Sequence, residues 1–371
     1  SKHYQFESYM SITGSNADVR FAIKPSDELT ILLNLYNKIA AKSGMPGYAA
    51  AESPVDLDGL VDDLMHHQSR SLIVSGTNDV YIQALVNGIN FLLANLGGTF
   101  NFERTLKTRL GCDQKFESLV EEMQKGTVGA LLMYNVNPVY DHYDAEGFKA
   151  GLEKTGLTVA ISEYNDETTK LAQYICPDHN FLESWNDSEA YTRMYTLAQP
   201  AIRPLFDTRQ AGDSFLKWAG MDADYHAYTQ KYWENYLFPA QDKYSTFGEF
   251  WNHTLQDGVY ELEAEVKECP MYDFEFLESN SDKLKSGPHE GLELVLYQKI
   301  GIGTGRMANN PWLQELPDPI SKAVWDNYVA ISPKYARENG VTQEDVVRVN
   351  DAFELPVLYQ PGQPYGTVSI A

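Results

Sequence analysis

Cysteine is scarce in this chain: Cys112, Cys176 and Cys269 lie far apart in 371 residues, and none sits in a CxxC. Such a set makes no disulfide framework and cannot ligate a four-cysteine iron–sulfur cluster. No run approaches the ~18 consecutive apolar residues of a membrane-spanning helix, so no direct membrane span is expected. Positive charge is also short. Against 52 Asp and Glu stand 29 Lys and Arg, a formal net charge of -23. That field repels phosphate backbones and sets the chain against nucleic-acid binding. HExxH is missing, and no other metal-ligand spacing is visible. His66 and His67 are adjacent on a helix and do not share a face. No signal peptide is visible. The opening Ser1, and a close at Thr367–Ala371 that reads as mid-strand, lead to the expectation of a fragment of a longer protein.

What is present is a chain with 43% hydrophobic residues, enough for a large core and about two or three domains. Lys24–Glu28 opens a helix that Ser26 can cap, and Leu29, Leu32, Leu33, Tyr36 and Ile39 form its apolar stripe up to Gly44. Ser53-Pro54 starts a second helix, with Leu57, Leu60, Val61 and Leu64 on one face. Three strand–turn–helix units follow. The first is the run Ser71–Ser75, the turn Gly76-Thr77-Asn78-Asp79, and a helix with Tyr81, Leu85, Ile89, Leu92 and Leu96, stopped by Gly97-Gly98. The second is Val128–Tyr134, the turn Asn135-Val136-Asn137-Pro138, and a helix to about Lys154. The third is Leu157–Ser162, the turn Glu163–Asp166, and a helix from Glu167. Runs apolar on both faces suit a parallel sheet covered by helices, so the expected class is α/β, doubly wound and mainly parallel. Ligands of such sheets sit beyond the carboxyl ends of the strands. Further on, Tyr225, Tyr228, Tyr232 and Tyr236 have helical spacing and read as one face of an amphipathic helix packed on the core. The expected division is an α/β domain over 1–277, a loop or linker over 278–290, and the start of a β-rich, barrel-like domain over 291–371, with strands at Leu292–Lys299, Val346–Val349 and Leu355–Gln360.

Two motifs invite chemistry. Ile175–Glu183 (ICPDHNFLE) gathers Cys176, Asp178, His179 and Glu183, which a Cys/His hydrolase could use. Pro177 holds that backbone extended, and residues three apart on an extended segment face opposite ways. Cys176 then ends the apolar run as a small buried hydrophobe, and the stretch reads as structural. Gly301–Arg306 has three glycines but lacks the last glycine of a dinucleotide loop, and Pro311 and Pro317 replace the following helix; it reads as a turn.

Leu131–Pro138 (LLMYNVNP) resembles the strand and Asn-Pro turn of molybdopterin oxidoreductases, and Leu157–Glu183 resembles their next unit. Asn309–Pro319 (NNPWLQELPDP), Trp325–Tyr328, Leu355–Val357 through Gly362-Gln363, and Gln199–Gln210 (QPAIRPLFDTRQ) resemble one branch, the large iron–sulfur subunit of bacterial alternative complex III. The resemblance implies a half that looks like a molybdopterin enzyme yet holds no molybdenum cofactor. The iron–sulfur clusters are then expected in a C-terminal part of the parent chain, outside this segment. It further implies a place on the periplasmic side of the bacterial inner membrane, in a quinol-oxidising respiratory complex. Partners would be the other subunits and the cluster-bearing domain, and the segment from 291 resembles an incomplete molybdopterin dinucleotide-binding domain.

Where cofactor-binding relatives carry Thr-Glu-Thr, this chain has Asp166-Glu167-Thr168, whose added negative charge opposes a pterin phosphate. The residues of the vestigial pocket are Gly76, Thr77, Asn78, Asn137, Pro138, Asp166, Glu167 and Thr168, with no catalytic or metal-ligating residue expected in this segment. The alternative is part of an active molybdopterin-dependent oxidoreductase of the polysulfide or thiosulfate reductase kind, with molybdopterin bound at these turns and its metal ligand upstream.

Overall fold

The first helix forms over Asp27–Lys42, as its stripe predicts, in a computed structural model that describes residues 1–263, 271–284, 291–343 and 345–371. Two parallel strands precede it, β1 (Tyr4–Glu7) and β2 (Val19–Ala22). Leu32, Leu33, Tyr36 and Ile39 are buried in one cluster with Leu57 and with Leu60, Val61 and Leu64 of the next helix, Asp58–His66. Leu85 and Ile89 of the helix Val80–Leu92 complete that core. Gly44 ends the first helix at φ +72°, a left-handed conformation that glycine adopts at little cost. Ser26 does not cap it. Its N–H and Oγ instead donate to the Glu293 carboxylate, at 2.9 and 2.7 Å, and the hydroxyl makes no bond to the helix N–H groups. The second helix starts at Asp58 rather than at Ser53-Pro54, because Ser53 closes a turn by donating from Oγ to the Val55 carbonyl.

The run Ser71–Ser75 is not a strand. The side chain of Asn90 takes the place of a neighbouring strand: its Oδ1 accepts from Ile73 N–H at 3.0 Å and its Nδ2 donates to Ile73 O at 2.7 Å. Fully buried Asn90 also bonds the Val86 carbonyl and the Asn95 amide, so every polar atom of its side chain is used.

The other two units are built on a parallel sheet of β3 (Ala130–Tyr134), β4 (Leu157–Ser162) and β5 (Tyr174–Pro177), in that order. Helices Asp113–Gln124 and Ala145–Lys154 cover one face, burying Val120, Met123, Phe148 and Leu152 with Met133 and Ala160. On the other face Val159 and Ile161 pack against Ala211 of the helix Ala211–Trp218. A sheet clothed on both sides explains why β4 reads as continuously apolar. The helix expected from Glu167 shrinks to one 3-10 turn, Thr169–Leu171. Asp166 Oδ1 accepts from Thr169 N–H at 2.7 Å, and this local bond competes with helix continuation.

Three antiparallel strands follow, β6 (Asn186–Tyr191), β7 (Met194–Ala198) and β8 (Val259–Glu261). They pack on an aromatic core of Trp233, Leu237, Phe250 and Trp251. The tyrosine stripe does not supply that core: Tyr228, Tyr232 and Tyr236 are exposed. The helix Tyr225–Tyr232 runs into a π-helical turn, Trp233–Leu237, which shifts the register and turns Trp233 inward. Trp233 Nε1 then donates to Asp187 Oδ2 at 2.9 Å.

The last strands are β9 (Glu293–Leu296), β10 (Val329–Ile331), β11 (Val346–Val349), β12 (Phe353–Tyr359) and β13 (Thr367–Ile370). They form one mixed sheet in the order β11-β12-β10-β13-β9. The fold class is therefore mixed α/β, with parallel strands flanked by helices and a β-rich C-terminal part.

Compactness divides the chain differently from its linear order. One unit joins Ser1–Asn101 with Cys269–Ala371, and the other is Phe102–Glu268. Within the first, Arg20 Nη1 donates to Gly362 O and Tyr272 OH to Ala84 O. The described part of the expected linker holds the end of the helix Glu275–Ser279 and a 3-10 turn, with Leu284 buried in the first unit's core; 285–290 lie outside the described residues.

Candidate functional site: the strand-end turns

The residues expected at a pocket fall in both units, and each group is described in its own. In the second unit β3 ends at Tyr134, and Asn135 turns the chain with φ +55°. Pro138 then starts a short helical turn, Pro138–Asp141. One strand over, β4 ends at Ser162, whose Oγ accepts from Tyr164 N–H.

Parallel register brings the two turns together, and side chains lock them. Asn137 Nδ2 donates to Glu167 Oε2 at 2.8 Å. Asn137 Oδ1 accepts from Thr168 N–H at 3.1 Å and from Thr168 Oγ1 at 2.7 Å. Thr168 Oγ1 in turn accepts from Val139 N–H at 2.9 Å. Thr168 and Pro138 are buried, and Glu167 is exposed. The hydrogen bond from Asn137 holds the Glu167 carboxyl below the usual carboxylate range, so it is charged at neutral pH. Sequence reasoning named Asn137, Pro138, Asp166, Glu167 and Thr168 as pocket candidates, and the structure sets them at adjoining strand ends. The same reasoning did not foresee that Asn137, Glu167 and Thr168 bond one another.

In the first unit Gly76 and Asn78 are exposed, and Thr77 is half-buried. Thr77 Oγ1 accepts from Asp79 N–H, and Asp79 caps the following helix through Tyr81 and Ile82 N–H. Gln83, which sequence reasoning missed, reaches back one turn and donates to the carbonyls of Ser75 and Thr77 at 3.2 and 2.6 Å. Ser75 Oγ donates to Glu28 Oε1. This loop is pinned by the helix behind it.

The ICPDHNFLE stretch is bonded internally and to the segment before the helix at Ala211. Cys176 lies on β5 opposite Ile161 and packs with Val159, Ile161 and Ala211. His179 Nε2 is 3.1 Å from the Thr208 carbonyl, so that ring nitrogen is directed at backbone. Asp178 Oδ1 accepts from Ala211 N–H at 2.8 Å, the first residue of its helix, and from His179 N–H. Burial outweighs those bonds and pushes the Asp178 carboxyl up. Glu183 forms a capping box with Asn180 over the 3-10 turn Phe181–Glu183. The Asp178, Asn180 and Glu183 side chains bond structural partners, while His179 Nδ1 is buried with no hydrogen-bond partner among the described residues.

A cavity of about 60 Å³ in the first unit, unforeseen from sequence, is lined by residues including Tyr9, Tyr297, Asp318 and Tyr328. It falls well below the ~300 Å³ at the small end of ligand pockets. Among the described residues, no group of three or more His, Cys, Asp or Glu is placed to hold a metal ion.

No protein-family model matches the chain. It is 26% identical over 225 residues to the menaquinone reductase, molybdopterin-binding-like subunit of Nitratidesulfovibrio vulgaris, a match covering 59% of this chain and 31% of that protein. The fold is similar to that of the acetylene hydratase from Pelobacter acetylenicus, with a TM-score of 0.65 and 11% identity, over 100% of this chain and 66% of that one. The chain thus spans about a third of the curated relative and just under two thirds of the solved structure. Both likenesses support the superfamily resemblance read from the sequence, that of the molybdopterin oxidoreductases.

Proposed function

We propose that this chain is a cofactor-free structural domain of an iron–sulfur electron-transfer subunit, in a membrane quinol-oxidising complex of the alternative complex III type. The lock between Asn137, Glu167 and Thr168 carries the reading. A pterin phosphate at these strand ends would meet the Asp166 and Glu167 carboxylates. It would also meet an amide whose oxygen already accepts two hydrogen bonds from Thr168 and whose nitrogen donates one to Glu167. Turning Asn137 to accept from or face a ligand would break its bonds to Thr168 and Glu167. These residues do not fit an anionic pterin, and no redox step is assigned to them.

The quinone part of the reading is supported by the description of the sequence relative as a menaquinone reductase subunit. In this reading the clusters sit in another part of a longer parent chain. The whole lies on the periplasmic side of the bacterial inner membrane, and this segment docks the cluster-bearing domain and neighbouring subunits. The sheet β9–β13 then corresponds to a dinucleotide-binding domain kept for architecture. The second reading, an active molybdopterin-dependent reductase of the polysulfide or thiosulfate kind, is favoured by the fold likeness to an enzyme.

Glu167→Gln in the intact complex separates the two. Its amide oxygen still accepts from Asn137, but its charge is gone. The scaffold reading expects quinol oxidation to change by less than about twofold. A change of about tenfold or more in turnover would place the turn in a working site and contradict the scaffold reading.

A further inference from the structure

The mixed sheet of the first unit ends differently at its two edges. On β11 the edge carries Arg348, whose Nη2 lies 2.8 Å from Glu354 Oε1 on β12. Charge on an edge strand discourages pairing with foreign strands. The opposite edge, β9, has no such charge facing out. Leu292, Leu294 and Leu296 share its open face and are 47%, 44% and 73% exposed. Glu293 is the strand's one charged residue, and it alternates to the other face, where Ser26 binds it.

The backbone of β9 is half used. Glu293 N–H donates to Gly366 O and Tyr297 N–H to Ile370 O, on the β13 side. Strand alternation turns the N–H and C=O of Leu294 and Leu296 to the open side, where no described residue pairs them. A row of spaced backbone donors and acceptors beside an apolar side-chain row is what an added strand recognises.

We propose that the open edge of β9 takes up an extended, apolar β-strand supplied by a basic partner polypeptide. Charge selects this occupant. A second copy would bring another net charge of -23, whereas a cationic strand gains from the field of this chain. The inference stands on the sheet alone and is independent of the quinol-oxidising reading.

The test uses the 371-residue chain and a dye-labelled synthetic peptide of alternating valine and threonine with lysine pairs at both ends. A copy with glutamate pairs serves as control. Leu296→Pro removes only an open-side N–H, which an edge strand tolerates. Leu294→Lys is the second variant, should proline disturb folding. The lysine-flanked peptide is expected to raise fluorescence anisotropy and to slow hydrogen exchange at Leu294 and Leu296. The glutamate-flanked copy should bind about tenfold more weakly at low salt. Either variant should weaken binding about tenfold or more without moving the thermal transition. Absence of binding overturns the proposal. So do slow exchange at Leu294 and Leu296 in the free monomer, which means the chain covers its own edge, and a concentration-dependent dimer lost in Leu296→Pro, which makes a second copy the occupant.

Discussion

The loop Gly76–Asn78 and the paired turns at Asn137 and Asp166–Thr168 both look, in sequence, like the ends of parallel strands. They are held by different means. The first is pinned from behind, by Gln83 and Asn90 reaching from one helix to the backbone before it. The second pair is tied across two true strands, side chain to side chain, through Asn137, Glu167 and Thr168. A run such as Ser71–Ser75 can therefore be apolar and extended without a sheet, provided that a buried amide supplies the missing ladder. At the paired turns Asn137, Glu167 and Thr168 hydrogen-bond one another.

The largest expected effect tests the first half of that contrast. Asn90→Ala strips the N–H and C=O of Ile73 and the amide of Asn95 of a buried partner. It should cost about 3 kcal/mol, measured by denaturant unfolding. A loss under about 0.5 kcal/mol would mean that the segment holds itself without Asn90. At the paired turns, Thr168→Val keeps the shape of the side chain but removes two hydrogen bonds, and should cost about 1–2 kcal/mol. Asn137→Ala in the same background should add less than its own separate cost, because the two share a bond; full additivity would show that the lock is not a unit.

A smaller effect concerns Asp178, just past the end of β5. Burial raises its folded pKa above the ordinary carboxylate value, so the folded state holds the proton more readily than the unfolded one. The contribution is therefore unfavourable at neutral pH. Stability falls as pH rises from the ordinary value through the raised one. Asp178→Asn keeps an acceptor for Ala211 and His179 and removes that slope. Unfolding curves of mutant and wild type should converge in acid and separate in the mutant's favour towards neutrality; the opposite separation would show that ionised Asp178 stabilises the fold. The smallest effect is chemical: iodoacetamide near neutral pH should label exposed Cys112 well before half-buried Cys176. Faster labelling at Cys176 would revive a nucleophilic role for ICPDHNFLE.

Much of the architecture could be read from periodicity because it depends on burial. Leu32, Leu33, Tyr36 and Ile39 mark one helix face, and Leu157–Ser162 marks a strand covered on both sides. What could not be read depends on partners distant in sequence or on irregular backbone. Ser26 passes over its own helix for Glu293, 267 residues away. The π-helical turn at Trp233 rotates the tyrosine stripe to solvent. The turn at Asn137-Pro138 was legible as a position, since Asn-Pro after an apolar run marks a strand end. Its bonding to Glu167 and Thr168 was not, because it needs the register of β3 against β4.

The most direct test is metal and pterin analysis of the intact parent protein purified from membranes, with pterin fluorescence after acid oxidation. The account predicts iron without molybdenum, tungsten or pterin. Stoichiometric molybdenum or tungsten with pterin would contradict it and make the turns at Asn78, Asn137 and Asp166 a cofactor site.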